Sequence, residues 1–393
     1  MSGGNQITLL KDGVEFFPAL ETAIDEALHE IYIQTYIFEF DHIGIRIANA
    51  LKRAAQRGVL VCVLLDGFGC RTLDKSHIQL LEQAGVNVMI YRPRISPWTL
   101  KRNRLRRMHR KMAVIDGRVG FVGGINIIDD NNTPDHVPPR IDYAVRVEGF
   151  LLQSMRHSVT TLWQKMSWLH FRKKPQSRLP KILPKQQVGN MHAKLLLRDN
   201  VMHRRDIQDA YLELIRRAEQ EILIANAYFL PGLRFRHALR DAAKRGVKVI
   251  LLLQGRVEYV LLDFASHALY SHLLRDGIEI HEYRKSFMHS KVAVVDGRWA
   301  MVGSSNIDPF SLLMSHEANV LVDDFAFATN LRQDLLQAMA AGAAKLTLAD
   351  WQQQHHVKRQ RIGNNFTISR RCRFDALFSR HHKNLMLWNG DFA

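Results

Sequence analysis

Three stretches of this chain share the spelling His-x-Lys-(x)4-Asp. They are "MHRKMAVID" with His109, Lys111 and Asp116, "MHAKLLLRD" with His192, Lys194 and Asp199, and "MHSKVAVVD" with His289, Lys291 and Asp296. An imidazole can attack an electrophile or carry a proton near neutral pH, and an ammonium binds an anion. In an extended strand, side chains two apart share a face, so His109 and Lys111 point the same way, as do His289 and Lys291. Asp116 and Asp296 lie an odd number of residues further on, in Asp-Gly turns where aspartate commonly bonds local backbone. Strand parity therefore makes these two structural, or at most supports of the groups that react, despite their place in the motif.

Two of the three copies are followed by small residues and an asparagine: "GGIN" with Gly123, Gly124 and Asn126, and "GSSN" with Gly303, Ser304, Ser305 and Asn306. Small residues permit close backbone approach to an anion, and asparagine supplies an amide donor. Asn126, Asn306 and Ser304 are thus the phosphate-binding candidates. Two such half-sites brought together would place two histidines, two cations and two amides around one tetrahedral anion. That constellation suits phosphoryl transfer by positioning and electrostatics, with no metal and no cofactor. A working imidazole needs an acceptor on its other nitrogen. Asp142 in "RIDYAVRVEG" and Glu317 in "SHEANVLVDD" occupy matched places and are the candidates. A zinc site is excluded by the few cysteines and the lack of paired-Cys or His-Glu-x-x-His spacing.

The elements that must position these groups are visible as a duplication. "AIDEALHEIYIQTYIF" and "IANALKRAAQRGVLVCVLLDG" match "LIRRAEQEILIANAYF" and "LRDAAKRGVKVILLLQG". Each pair reads as helix, apolar strand, helix and apolar strand, with Gly58 and Gly246 as helix C-caps. "LLEQAGVNVMIYR" and "LLRDGIEIHEYR" add a further helix and strand to each copy. Apolar strands alternating with helices predict an α/β fold, a mostly parallel sheet covered on both faces, built as two domains side by side. The predicted boundaries are 1–169 and 188–345 for the repeats, a basic proline-broken linker over 170–187, and a basic tail over 346–393. His109 and His289 fall at equivalent places; His192 does not. "AKLLLRDN" matches "QITLLKDG" near the start of the first repeat, so His192 reads as part of an edge strand and turn rather than a third centre.

The 393 residues carry a formal charge of +17. The natural partner is therefore anionic, and charge alone does not choose among nucleic acid, an acidic membrane and phosphorylated substrates. Cys62, Cys70 and Cys372 form no disulfide framework. "MSGGNQITLLKDG" has no signal-peptide pattern, and no run reaches the ~20 apolar residues of a membrane span. Any membrane association is expected to be peripheral.

The doubled His-x-Lys-(x)4-Asp with its trailing Gly-Gly or Gly-Ser and Asn resembles the phospholipase D superfamily. Within it, residues from about 5 to 345 are similar to bacterial cardiolipin synthases of the type without N-terminal transmembrane helices, through "RRMHRKMAVIDGRVGFVGGIN", "DYAVRVEG", "IANAYFLPG", "HSKVAVVDG" and "VGSSNIDPFSL". The resemblance implies two fused phospholipase D-like domains related by a pseudo-two-fold. It implies a catalytic set of His109, Lys111, Asp116, His289, Lys291 and Asp296, with His109 as the nucleophile and His289 as acid/base. It implies transfer of a phosphatidyl group from one phosphatidylglycerol to another at the cytoplasmic face of an inner membrane, releasing glycerol, with no nucleic acid as partner. A hydrolytic phospholipase D or a nuclease of the same superfamily would use the same histidines. The basic, Trp- and Leu-containing stretch "RPRISPWTLKRNRLRRMHR" (92–110) has no counterpart in the second repeat and suits an anionic bilayer surface. The tail, with Lys358, Arg359, Arg361, Arg370, Arg371 and Arg373 among aromatics, would give a second contact.

Overall fold

The structure, a computed structural model, describes residues 1–92, 106–133, 136–171, 177, 179–183, 187–255 and 269–351. Most of the basic insertion (93–105), part of the linker and the tail beyond 351 lie outside the described residues.

The chain opens with β1 (Ser2–Lys11) and α1 (Asp12–Asp25), then alternates through β2 (Glu30–Thr35), α2 (His42–Gln56), β3 (Leu60–Asp66), α3 (Lys75–Gln83) and β4 (Asn87–Tyr91). A hairpin of β5 (Lys111–Ile115) and β6 (Val119–Gly123), the short β7 (Arg140–Ile141), β8 (Tyr143–Glu148) and the long α4 (Leu151–Leu169) complete the first repeat. The second repeat follows with β9 (Met191–Arg198), α5 (Asp206–Arg217), β10 (Glu221–Asn226), α6 (Leu233–Lys244), β11 (Lys248–Gln254) and β12 (Glu279–Tyr283). Then come β13 (Phe287–Met288), the hairpin β14 (Lys291–Val295) and β15 (Trp299–Gly303), α7 (Pro309–Leu313), β16 (Glu317–Asp323), α8 (Phe325–Gly342) and β17 (Ala343–Leu346).

Among the described residues one 15-stranded sheet runs through both repeats in the order β17-β12-β11-β10-β14-β15-β16-β9-β1-β8-β6-β5-β2-β3-β4. Apart from β17 the order is a palindrome, each strand of one repeat mirrored by its equivalent in the other. This is the topological mark of a pseudo-two-fold at the β1–β9 seam. The two units do not merely lie side by side: they share backbone hydrogen bonding across that seam, where Ser2 faces Ala193 and Asn5 faces Met191. β9, expected as an edge strand, is therefore interior, paired on its other side with β16 from His192↔Asp323 to Arg198↔Glu317. Two edges that would each invite aggregation close on one another.

Within the 15-stranded sheet, parallel pairing of the described strands is confined to β2-β3-β4 and β10-β11-β12, a smaller share than expected. Helical crossovers produce those parallel pairs. The Asp-Gly turns instead fold β5 onto β6 and β14 onto β15, and antiparallel neighbours follow. Asp116 and Gly117 (φ 52° and 59°), like Asp296 and Gly297 (φ 52° and 62°), take the left-handed backbone that a type I′ turn demands at both central positions.

Helices cover both faces. α4 and α8 bury Met155, Val159, Trp163, Phe327, Leu331 and Leu335 in one apolar layer that spans both repeats. On the opposite face α1 and α2 close one core and α5 and α6 another. β15 and β16 lie against β6 and β8 across the seam, so the two half-sheets approach each other at the end from which the motif strands begin.

Candidate active site

The segment leading into β5 leaves its own half of the molecule. Met108 bridges His316 in parallel, the His109 N–H donates to the His316 carbonyl at 3.0 Å, and the His316 N–H donates to the Arg107 carbonyl at 2.7 Å. The second repeat does the same in return. β13 pairs in parallel with β7, Phe287 against Arg140, and the His289 N–H donates to the Ile141 carbonyl at 2.8 Å. Each histidine strand is thus laid beside the acid-bearing strand of the other repeat.

The consequence is a crossed pair of imidazole–carboxylate contacts. His109 Nδ1 lies 2.9 and 3.1 Å from the two Glu317 oxygens, and His289 Nδ1 lies 2.6 Å from Asp142 Oδ2. The carboxylates are 0% and 1% exposed at the side chain, whereas the imidazoles keep 16% and 11%. Each histidine is gripped from behind through Nδ1, leaving Nε2 for chemistry. Burial pushes the Asp142 carboxyl up to about 6, opposed by Lys291. Burial also lowers His109, opposed by Glu317, and lowers His289 strongly, reinforced by Lys291 and Lys111. Burial thus favours the neutral imidazole in the unliganded site, the form a nucleophile requires, and the acid partner must take up its proton as the anionic phosphate binds beside it.

Lys111 and Lys291 share the histidine face, and each Nζ donates to its own motif's histidine carbonyl, Lys111 at 2.7 Å. Lys291 also lies 3.9 Å from Asp142 Oδ2. Burial lowers the ammonium groups, Lys111 to about 7 and Lys291 to about 8, against an ordinary 10.5. A bound anion would favour their charged forms, which suits the pair to a phosphate ligand.

The motif aspartates sit elsewhere. At ~3.3 Å per strand residue, Asp116 is ~23 Å along the strand from His109. Its carboxylate accepts the backbone N–H groups of Leu28, His29 and Glu30 at 2.7–2.8 Å. Asp296 does the same for Glu219, Gln220 and Glu221 at 2.8–3.0 Å. They pin each hairpin turn to the start of the neighbouring strand, so the catalytic set implied by family likeness is corrected for these two. Ser304 is also corrected: fully buried, it donates to Glu317 Oε2 at 2.5 Å and accepts from the Ala318 N–H at 3.0 Å. It orients an acid and has no hydroxyl to spare for phosphate. In the first repeat the same place is Gly124, where a Cβ would stand 2.2 Å from Asp142 Oδ1. Asn126 Oδ1 accepts from the Ile37 N–H at 3.1 Å, whereas the buried Asn306 Oδ1 has no partner among the described residues. His192 lies exposed in β9, its register partner Asp323, and Asp199 caps its own turn through Val201, Met202 and His203.

Three features escaped the sequence. Asp66, fully buried at the end of β3, accepts the Met108 N–H at 2.8 Å, and Gln254 at the matched end of β11 accepts the Met288 N–H at 2.8 Å. The matched phrases "LLDG" and "LLQG" were the available signal. Tyr36 meets the His109 ring edge-on at 4.8 Å, and its counterpart is Ala227. Arg140 lies over Phe287 at 5.5 Å beside His289. Among the described residues no cluster of three or more His, Cys, Asp or Glu side chains is arranged to hold a metal.

Two complete half-sites fused in one chain, each histidine completed by the other half, define a phospholipase D-like protein. The family model described as "Cardiolipin synthase, PLD-like domain" matches residues 20–136 and 211–339, once per repeat, and the chain belongs to that family. It is 39% identical to cardiolipin synthase B of Shigella flexneri over 347 residues, 86% of this chain and 81% of that protein. The Escherichia coli (strain K12) protein of the same name gives the same values. Cardiolipin synthase 1 of Bacillus anthracis is 30% identical over 319 residues, 79% of this chain and 61% of that one. Among solved structures, phosphatidylserine synthase of Haemophilus influenzae Rd KW20 superposes with a TM-score of 0.62, covering 92% of this chain and 94% of its own at 13% identity. At that identity the likeness speaks to the fold.

Proposed function

We propose that the protein forms cardiolipin by transferring a phosphatidyl group from one phosphatidylglycerol to the terminal hydroxyl of another. The observation that carries this reading is the crossed pair His109–Glu317 and His289–Asp142, in a chain related to cardiolipin synthases over most of its length. His109 Nε2 attacks phosphorus, the bond to the glycerol oxygen breaks, and His289 delivers the proton to that oxygen. His289 then takes the proton of the incoming hydroxyl, the new P–O bond forms, and the P–N bond to His109 breaks. Glu317 and Asp142 hold the two rings and stabilise the positive charge that each acquires. Lys111 and Lys291 neutralise the phosphate oxygens throughout.

The partner surface in this reading is an anionic bilayer, approached from the cytoplasmic side, with the +17 charge drawing the protein to it. Among the described residues no helix is long and apolar enough to cross a membrane. Purified protein incubated with phosphatidylglycerol vesicles is expected to yield cardiolipin and glycerol in equal amounts. Phosphatidic acid as the sole lipid product would make the enzyme a hydrolase.

A further inference from the structure

We propose that Arg107 holds a second phosphate, the non-reacting one of the acceptor lipid, one bridge length from the phosphate under attack. The proposal rests on the transfer reading above. Residues 107 to 109 are extended, as the parallel bridge at Met108 and its flanking hydrogen bonds require. Arg107, His109 and Lys111 therefore share one face. Arg107 stands two residues outward from His109, ~6.6 Å along the strand. That spacing is comparable to the span of a glycerol unit joining two phosphates, the geometry of the product to be made.

The side chain is prepared for an anion. Its guanidinium sits 5.1 Å from the centre of the Phe68 ring, and that of Arg71 sits 4.7 Å from the same ring. Arg107 Nη1 is buried and has no acceptor among the described residues. The nearby carboxylate of Asp66 is committed to the N–H groups of Phe68, Gly69 and Met108 at 2.8–3.1 Å. A buried guanidinium nitrogen without an acceptor is costly, and a phosphate oxygen would satisfy it with a charge-assisted bond. Ring contact restrains the guanidinium before the anion arrives.

The two half-sites differ here. The counterpart of Arg107 is Phe287, whose ring is stacked by His136 at 4.0 Å and overlaid by Arg140. Arg140 in turn donates to the carbonyls of Asp129 and Asn132. Among the described residues the two sides of the centre thus differ, with the guanidinium lacking an acceptor on the side of His109, as a transfer between two lipids needs. The donor brings one phosphate, and that one reacts. The acceptor brings another that must be placed while its hydroxyl is activated. Water and simple alcohols bring none, so Arg107 would favour a lipid acceptor over hydrolysis.

Glycerol 1,3-bisphosphate and glycerol 1-phosphate serve as probes, with binding followed by calorimetry. The wild-type chain is expected to bind the bisphosphate about tenfold more tightly, and Arg107→Gln to lose that preference while still binding the monophosphate, which reports an intact fold. With phosphatidylglycerol and ethanol as competing acceptors, the ratio of cardiolipin to phosphatidylethanol should fall about tenfold in the variant. A wild-type chain indifferent to the second phosphate, or a variant that keeps the preference, overturns the proposal. A wild-type chain that prefers the bisphosphate but makes no cardiolipin overturns the functional reading instead.

Discussion

His109 and His289 look alike in sequence, yet each depends on a carboxylate that comes from the other half of the chain. Glu317→Gln should therefore damage chemistry at a histidine 208 positions away. By analogy with removal of a histidine-orienting carboxylate, its kcat should fall on the order of 10²–10⁴ with the melting temperature little changed. Asp142→Asn should act alike. In a double-mutant cycle, Glu317→Gln should add little to His109→Ala, because the two residues act as a unit. Full additivity would show that the acid works independently. The lysines supply a pH dependence. Burial brings the Lys111 and Lys291 ammonium groups down to about 7 and about 8, so in this reading rising pH removes the charge that binds phosphate. kcat/KM should accordingly decline as pH rises through that window, because this ratio reports the free enzyme. A profile flat to pH 9 would count against both lysines as phosphate ligands.

The hairpins β5–β6 and β14–β15 carry the motif at one end and its aspartate at the other. Asp116→Asn and Asp296→Asn leave backbone donors of the neighbouring strand imperfectly paired, which should cost ~1–3 kcal/mol of stability each. Activity should decline only in step with the unfolded fraction in a thermal or urea melt. A fully folded but inactive Asp116→Asn protein would return that residue to the chemistry. The far end of β6 gives the complementary test. Gly124→Ala introduces a Cβ into the space of the Asp142 carboxylate, so Asp142 must leave His289 or the strand must move. Loss of turnover well beyond any loss of stability is expected, and unchanged kinetics would mean that Asp142 need not sit where it does.

Among the described residues one 15-stranded sheet joins the repeats, and the two half-sites meet through the crossed imidazole–carboxylate contacts. Because both histidines and both acids must come from a single fused chain, mixing the full-length His109→Ala and His289→Ala variants should give no activity. Recovery on mixing would mean that the centre assembles between chains. The shared layer of α4 and α8 and the β1–β9 seam explain the fusion: separate halves would expose a sheet edge and part of a common core.

Sequence alone made the repeat and the α/β alternation legible, and it singled out His109 and His289 over His192 as candidates, because these readings depend on local period and on matched positions within the chain. Parity along a strand predicted that Asp116 and Asp296 face away from the histidines, since a pleat fixes which side chains share a face, and both carboxylates do accept backbone N–H groups at the start of a neighbouring strand. Asp142 and Glu317 were legible as a matched pair of acids, but not which histidine each one serves. The tertiary structure decided that crossing, because the 107–109 and 287–289 segments pair with strands of the opposite repeat, and no local pattern encodes a partner so far along the chain. It also turned an expected edge strand into the centre of a continuous sheet. It gave Ser304 to Glu317 rather than to phosphate for the same physical reason: a buried hydroxyl goes to whichever acceptor the fold brings within reach.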